Sequence, residues 1–233
     1  MAETEFSDSA FSGFDDLNFD MDFGTEAEIP SKDKDPNAEL QTAVKRTKER
    51  HTFRRASSER ALESVLDWHL QKGYTYHVIS AGDVDFLSYL KMILRQQPLE
   101  YCLLSSWCMA MTDAIMLENW LKRGFIKRLD LYVGERFQRQ YDGVYAFCAS
   151  RIAKRFGGRV CIFRNHAKVM VGFGKQFDFA IESSANIDTN PRTEQTAITV
   201  STDVALFYKR FYDGIISFNR DFDEWQPTKI REE

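Results

Sequence analysis

Apolar and polar residues fall into a regular period only from about residue 57 onward. In "SSERALESVLDWHL", Leu62, Val65, Leu66 and His69 occupy the i, i+3, i+4, i+7 stripe of one helix face, and the serines suit its N-cap. His69 on that stripe reads as a packed side chain rather than a catalytic one. "YTYHVIS" then predicts a strand, "DVDFLSYLKMILRQ" a helix and "EYCLLSSW" a strand. "TDAIMLENWLKRG" predicts a helix with Thr112 or Asp113 as its cap. Lys122 and Arg123 suit the negative end of its dipole, and Gly124 the left-handed position beyond it. "KRLDLYV" follows as a strand, "DGVYAFCASRIAKRFGG" as a helix stopped by two glycines, and "RVCIFRNHAKVMVGF" as one long strand. After residue 172 the pattern changes to a turn at "GFGKQ", a strand "FDFAIES", a polar loop, "TAITVS", and a closing helix "DVALFYKRFYDGIISFNRDF". Strand and helix alternate repeatedly, which predicts an α/β domain over 57–233 with a mixed, largely parallel sheet flanked by helices.

The 233 residues, 43% of them hydrophobic, suffice for one well-buried core plus a tail. Cys102, Cys108, Cys148 and Cys161 stand singly among apolar neighbours, without metal-ligand spacing, and read as buried reduced thiols suited to a reducing cytoplasm. No stretch reaches the roughly 18 apolar residues of a membrane span, and no basic-then-apolar leader opens the chain. The expectation is a soluble, cytoplasmic protein.

The net charge of −4 conceals an asymmetry: residues 1–36 hold eleven acids against Lys32 and Lys34, which is −9 and leaves +5 on the remainder. Residues 1–40 lack any sustained period and read as a disordered acidic tail. Phe6, Phe11, Phe14, Phe19 and Phe23 are spread through its acids. The tail is either solubilising or a docking segment, its aromatic anchors steered by charge to a basic groove on a protein partner or on this chain's own body. Residues 41–56 carry bases at 45, 46, 48, 50, 54 and 55, as a linker or as an arm facing nucleic acid.

In the apolar run 159–173, His166 and Lys168 share one strand face, while Cys161, Phe163, Ala167, Val169 and Val171 share the other. Alone, the pair fits a solvated surface as well as half of an active site. "ESSANIDTNPRTEQ" ends the next strand, and a hairpin at "GFGKQ" would return Ser184 and Asn186 to His166 and Lys168. A lysine point charge, an amide and a hydroxyl make a phosphate-binding set, and histidine is the member suited to attack phosphorus and to carry a proton near neutral pH.

The H-x-K of "HAK" followed by the S-x-N of "SSAN", inside an α/β domain, resembles the phospholipase D superfamily. Glu194 in "RTEQ" matches the acid found further on. The sequence departs from the pattern at two positions: Phe173 stands where the family has aspartate, and Ser183 where it has glycine. The resemblance implies a homodimer, because one chain carries one motif and the family's site uses two. It implies His166 as nucleophile on one chain and as proton donor on the other, Lys168, Asn186 and Ser184 holding the phosphate, and Glu194 orienting a histidine. No metal or other cofactor is implied. Single-motif members resemble nucleases, so a metal-independent dimeric nuclease acting on DNA in preference to RNA, through a phosphohistidine, is the expected activity. The alternative is a weakly active or inactive nucleic-acid-binding adaptor whose acidic tail docks a partner, and lipid phosphatidyl transfer stands behind both. No membrane association is expected.

Overall fold

A computed structural model describes Arg60, Leu62 and residues 70–80, 84–187 and 192–230. The acidic segment 1–40, the basic stretch 41–56 and most of the helical stripe at 57–69 lie outside the described residues; of that stripe, Leu62 is placed and is buried in the core. The elements in chain order are β1 (Thr75–Ser80), α1 (Phe86–Gln96), β2 (Leu99–Ser106), α2 (Met111–Lys122) and β3 (Leu129–Gly134). They continue with the short α3 (Phe137–Gln140), then α4 (Asp142–Phe147), which runs on as a π-helical stretch (Cys148–Lys154), and β4 (Val160–Phe163). The last part comprises β5 (Lys168–Gly174), β6 (Asp178–Ser183), β7 (Glu194–Thr199) and α5 (Thr202–Asp213).

Local chemistry sets most of these boundaries. Asp85 caps α1, its carboxylate accepting the Ser88 amide at 2.8 Å. Neither Thr112 nor Asp113 is the N-cap of α2. That helix starts after Ala110, and the Asp113 carboxylate reaches back to accept the Ala110 amide at 3.1 Å. The acid thus supplies the returning half of a capping box rather than the cap itself. Gly124 follows α2 with φ +75° in the left-handed region. The closing helix is shorter than its pattern predicts and stops at Gly214, beyond which the Phe218 amide donates to the Ile162 carbonyl of the edge strand β4 at 2.7 Å.

The sheet has the order β1-β7-β6-β5-β2-β3-β4. β2 with β3 and β3 with β4 are parallel, and the other four of the six pairings are antiparallel. The sheet is therefore mixed rather than largely parallel. Crossover helices join β2, β3 and β4, whereas β5 and β6 are linked by a tight turn, and a strand entered from such a turn must run backward.

A second correction concerns "RVCIFRNHAKVMVGF", which is two strands and not one. β4 lies at the sheet edge beside β3, while β5 pairs with β2, and Arg164–Ala167 crosses between them. Apolar residues on both sides hide the break, since β4 and β5 are each buried.

Two cores result. α1, α2 and α4 pack on one face through residues such as Leu87, Leu90, Leu117 and Ile152, against Leu104, Leu131, Met170 and Ile181. On the other face Ala205 and Tyr212 of α5 cover Tyr101, Leu103, Val169, Val171 and Phe173. Cys102, Cys148 and Cys161 are buried free thiols, and Cys108 is half-buried.

The two glycines after α4 have different jobs. Gly157 takes φ +73° to end the helix, and Gly158 lets the chain press against β3: a Cβ there would lie 1.9 Å from the Leu129 carbonyl oxygen. Since that neighbour is backbone, Gly158→Ala should cost about 2–3 kcal/mol. Thermal or denaturant unfolding checks this, and an unchanged midpoint would contradict it.

Candidate active site

β2, β3 and β4 run toward one end of the sheet; β1 and β6 finish there, and β5 and β7 begin there. In open α/β sheets the crevice beyond the carboxyl ends of the parallel strands is where ligands bind. Lys168 opens β5 at this end, directly opposite Ser183 at the close of β6.

His166 lies in the crossing segment, two residues before β5, with its side chain exposed. Asn165 anchors that segment from within. Its amide donates to Ser105 Oγ (3.0 Å) and the Tyr132 carbonyl (3.2 Å), and its Oδ1 accepts the Ala167 amide (3.0 Å). Ser105 Oγ donates in turn to the Ala167 carbonyl at 3.0 Å. The histidine is thereby fixed to the ends of β2 and β3, although it belongs to neither.

The structure brings His166 and Lys168 into contact. Lys168 Nζ lies 3.2 Å from His166 Nδ1 and 3.5 Å from Nε2, and donates to the His166 carbonyl at 2.9 Å. The Trp107 ring stands 5.8 Å from the imidazole, centre to centre. It is seated against Gly134, where a Cβ would meet Trp107 Cδ1 at 2.4 Å, so the bare glycine at the end of β3 makes room for the indole.

Lys168 is only 9% exposed. Burial pulls its pKa below the usual lysine value, and the charges of Cys108 and Glu194 partly restore it.

Ser184 and Glu194 meet each other rather than the histidine. β6 stops at Ser183, so Ser184 and Asn186 do not continue its face. Ser184 Oγ donates to the Glu194 carboxylate and accepts the Gln195 amide at 3.0 Å, which ties β6 to β7. Among the described residues the hydrogen-bond partner of the Glu194 side chain, expected from the resemblance to orient a histidine, is Ser184.

Asn186 is held at the same end of the sheet because the Ile187 amide donates to Ser106 Oγ (3.2 Å), which itself donates to the Cys108 carbonyl (2.9 Å). Its Oδ1 is buried and has no hydrogen-bond partner among the described residues, an uncommon state for a buried polar atom.

Phe173, at the family's aspartate position, is five residues along β5 from Lys168, roughly 17 Å. It faces the opposite side of the sheet and packs on Tyr101 with ring centres 6.1 Å apart. Asp178, its register partner, is engaged at that far end by the Gly174 amide (3.2 Å) and the Thr202 hydroxyl (2.8 Å).

Trp107 and Asn165 escaped the sequence reading. Asn165 stands directly before "HAK" and Trp107 at the end of "LLSSW", but neither has a periodicity signal. Among the described residues, no group of three or more His, Cys, Asp or Glu side chains is placed to hold a metal ion. No helix among them is long and apolar enough to cross a membrane.

Among solved structures, the chain is similar to a polyphosphate kinase from Porphyromonas gingivalis, with TM-score 0.50 and 16% identity over 70% of this chain and 30% of that one. The fold is phospholipase D-like. NucT from Helicobacter pylori matches with TM-score 0.44 and 14% identity, over 60% of this chain and 94% of that one. A phosphatidylserine synthase from Haemophilus influenzae matches with TM-score 0.43 and 10% identity, over 59% and 37%. This chain thus spans under a third of the polyphosphate kinase, and the likeness is one of fold. No model of a protein family matches the sequence, and no curated protein does.

Proposed function

We propose that this phospholipase D-like domain is a phosphodiesterase, and specifically a metal-independent dimeric nuclease acting on DNA. The observation that carries the reading is the exposed His166 imidazole in contact with the buried Lys168 at the end of the sheet where the parallel strands finish. A ring nitrogen of His166 attacks phosphorus, forming a P–N bond as the P–O bond to the leaving strand breaks. His166 of a second copy gives its proton to the departing oxygen. It then takes a proton from water, whose oxygen displaces the first histidine and restores both sites. Lys168 meets the charge that develops on the nonbridging oxygens. Asn186 supports the same role, since its Oδ1 is buried without a hydrogen-bond partner among the described residues, and the amide turned about would put its N–H donors there instead. Ser184 and Glu194 act on this reading as the clamp that fixes the β6–β7 end, with Glu194 also sustaining the charge of Lys168.

The test is cleavage of DNA in EDTA with the mass in solution measured alongside. Turnover by a dimer supports the reading. Salt-sensitive DNA binding without turnover in the wild type would replace it with the binding-protein alternative. Because the cationic form of Lys168 is the useful one and burial lowers its pKa, activity should fall with rising pH before free lysine would titrate. Lys168→Arg should retain partial activity and extend it to higher pH, as guanidinium stays charged. A pH–rate profile with the same alkaline limb in both proteins would contradict this.

A further inference from the structure

A cleft of about 600 Å³ opens at the ends of β3 and β4, lined by Glu135, Arg136, Arg139, Gln140, Phe218 and the buried Ile162. That volume lies within the roughly 300–1,000 Å³ of small-ligand sites. Three features set it apart from ordinary surface. The guanidiniums of Arg136 and Arg139 are exposed, and no carboxylate among the described residues forms an ion pair with either. Phe218 presents its ring to solvent at 63% exposure, although its amide is fixed to the Ile162 carbonyl at 2.7 Å. The cleft also lies close along the chain to the site described above. From Ile162 the chain passes exposed Arg164 and reaches His166 in four residues, at most about 14 Å. On the other wall, Gly134 touches Trp107 and is followed at once by Glu135 and Arg136.

Arginines without an ion pair among the described residues, beside an exposed aromatic ring on an anchored backbone, are what a single nucleic-acid strand requires: cations for its phosphates and a π-face for an unpaired base. A paired base keeps its faces inside the duplex stack, so Phe218 is of little use to double-stranded substrate. We infer that the cleft is a subsite for single-stranded DNA, in which Arg136 and Arg139 hold phosphates flanking the scissile one and Phe218 stacks against an unpaired base. Arg164 lies on the path between the subsite and His166. The single acid, Glu135, sits at the Gly134 end of the wall. This inference rests on the proposed nuclease reading and names its substrate.

Two measurements separate the two ideas. The first is anisotropy of a fluorescent 12-nucleotide single strand and its duplex on the full-length His166→Ala protein in EDTA. The second is hydrolysis of bis(4-nitrophenyl) phosphate by proteins with His166 intact, since that diester is too small to span the cleft. Phe218→Ala should weaken single-strand binding about 5- to 100-fold, as expected for one lost base stack, and change duplex binding less than twofold. Arg136→Ala with Arg139→Ala should weaken the single strand at least 10-fold and flatten its salt dependence. Small-diester hydrolysis should stay within twofold of wild type in all of these. Unaltered single-strand affinity in these variants overturns the subsite, and so does an equal loss for single strand and duplex in Phe218→Ala. Absence of small-diester hydrolysis in the wild type overturns the nuclease reading instead.

Discussion

His166→Ala should abolish diester hydrolysis, with kcat/KM falling on the order of 10³-fold or more while the fold persists. The covalent route cannot start without the imidazole, and in a two-copy site the same substitution also removes the proton donor. Stability should hardly change, because the side chain is exposed and its segment is anchored by Asn165 through Ser105 and Tyr132. Surface substitutions of this sort usually stay within about 0.5 kcal/mol. The measurement is bis(4-nitrophenyl) phosphate hydrolysis in EDTA, paired with a melting curve. Equal rates in the variant and the wild type would remove His166 from the chemistry and leave a phosphate-binding fold with another role.

The largest effect on stability should come from Asp130→Ala. Asp130 is fully buried on β3, where its Oδ2 accepts the Tyr101 hydroxyl at 2.8 Å. Its Oδ1 accepts the Arg159 amide at 2.9 Å and the Trp225 indole N–H at 3.1 Å. Burial raises its pKa, and the donors from Tyr101, Trp225 and Arg159, with the charge of Arg128, draw it back. Arg159 completes the cluster, donating to the Tyr132 hydroxyl (2.8 Å) and the Tyr212 carbonyl (2.9 Å), with its guanidinium 3.7 Å from the Trp225 ring centre. Removing the carboxylate leaves the Tyr101 hydroxyl, the Arg159 amide and the Trp225 indole N–H without their acceptor and Arg128 without its ion-pair partner. The cost should be about 3–5 kcal/mol, or roughly 6–20 °C in Tm for a domain of this size. Asp130→Asn, which keeps an acceptor, should lose less. Trp225 offers a local readout: its fluorescence should red-shift and the segment after Gly214 become cleavable by protease before global unfolding. A loss under about 1 kcal/mol would show that the cluster does not hold that segment in place.

The sequence was most legible where signals were local. The glycines after α2 and α4 and the strands β1, β3 and β6 depend on residues a few positions apart, and the structure has them where the local pattern puts them. It was least legible where an apolar run crosses from one part of the sheet to another. Arg164–Ala167 interrupts such a run by only four residues, and what makes it a crossing is the grip of Asn165 on Ser105 and Tyr132, 60 and 33 positions away. The same distance effect hid the role of Ser184. Its partner is Glu194, ten positions on, and not the histidine that a longer β6 would have placed beside it.

The sequence by itself determined the α/β elements, the turn that folds β5 against β6, and the pairing of a histidine with a lysine as the chemistry to look for. Tertiary structure alone decided that most strand pairings are antiparallel, that the aspartate position of the motif faces a core some 17 Å from the site, and that Trp107, Asn165 and Asn186 gather at the same sheet end as His166. Backbone propensities and side-chain period act over a few residues and so can be read along the chain. Strand order and the meeting of distant side chains are selected by burial of both sheet faces and by satisfaction of buried polar groups, which exist only once the whole sheet has assembled.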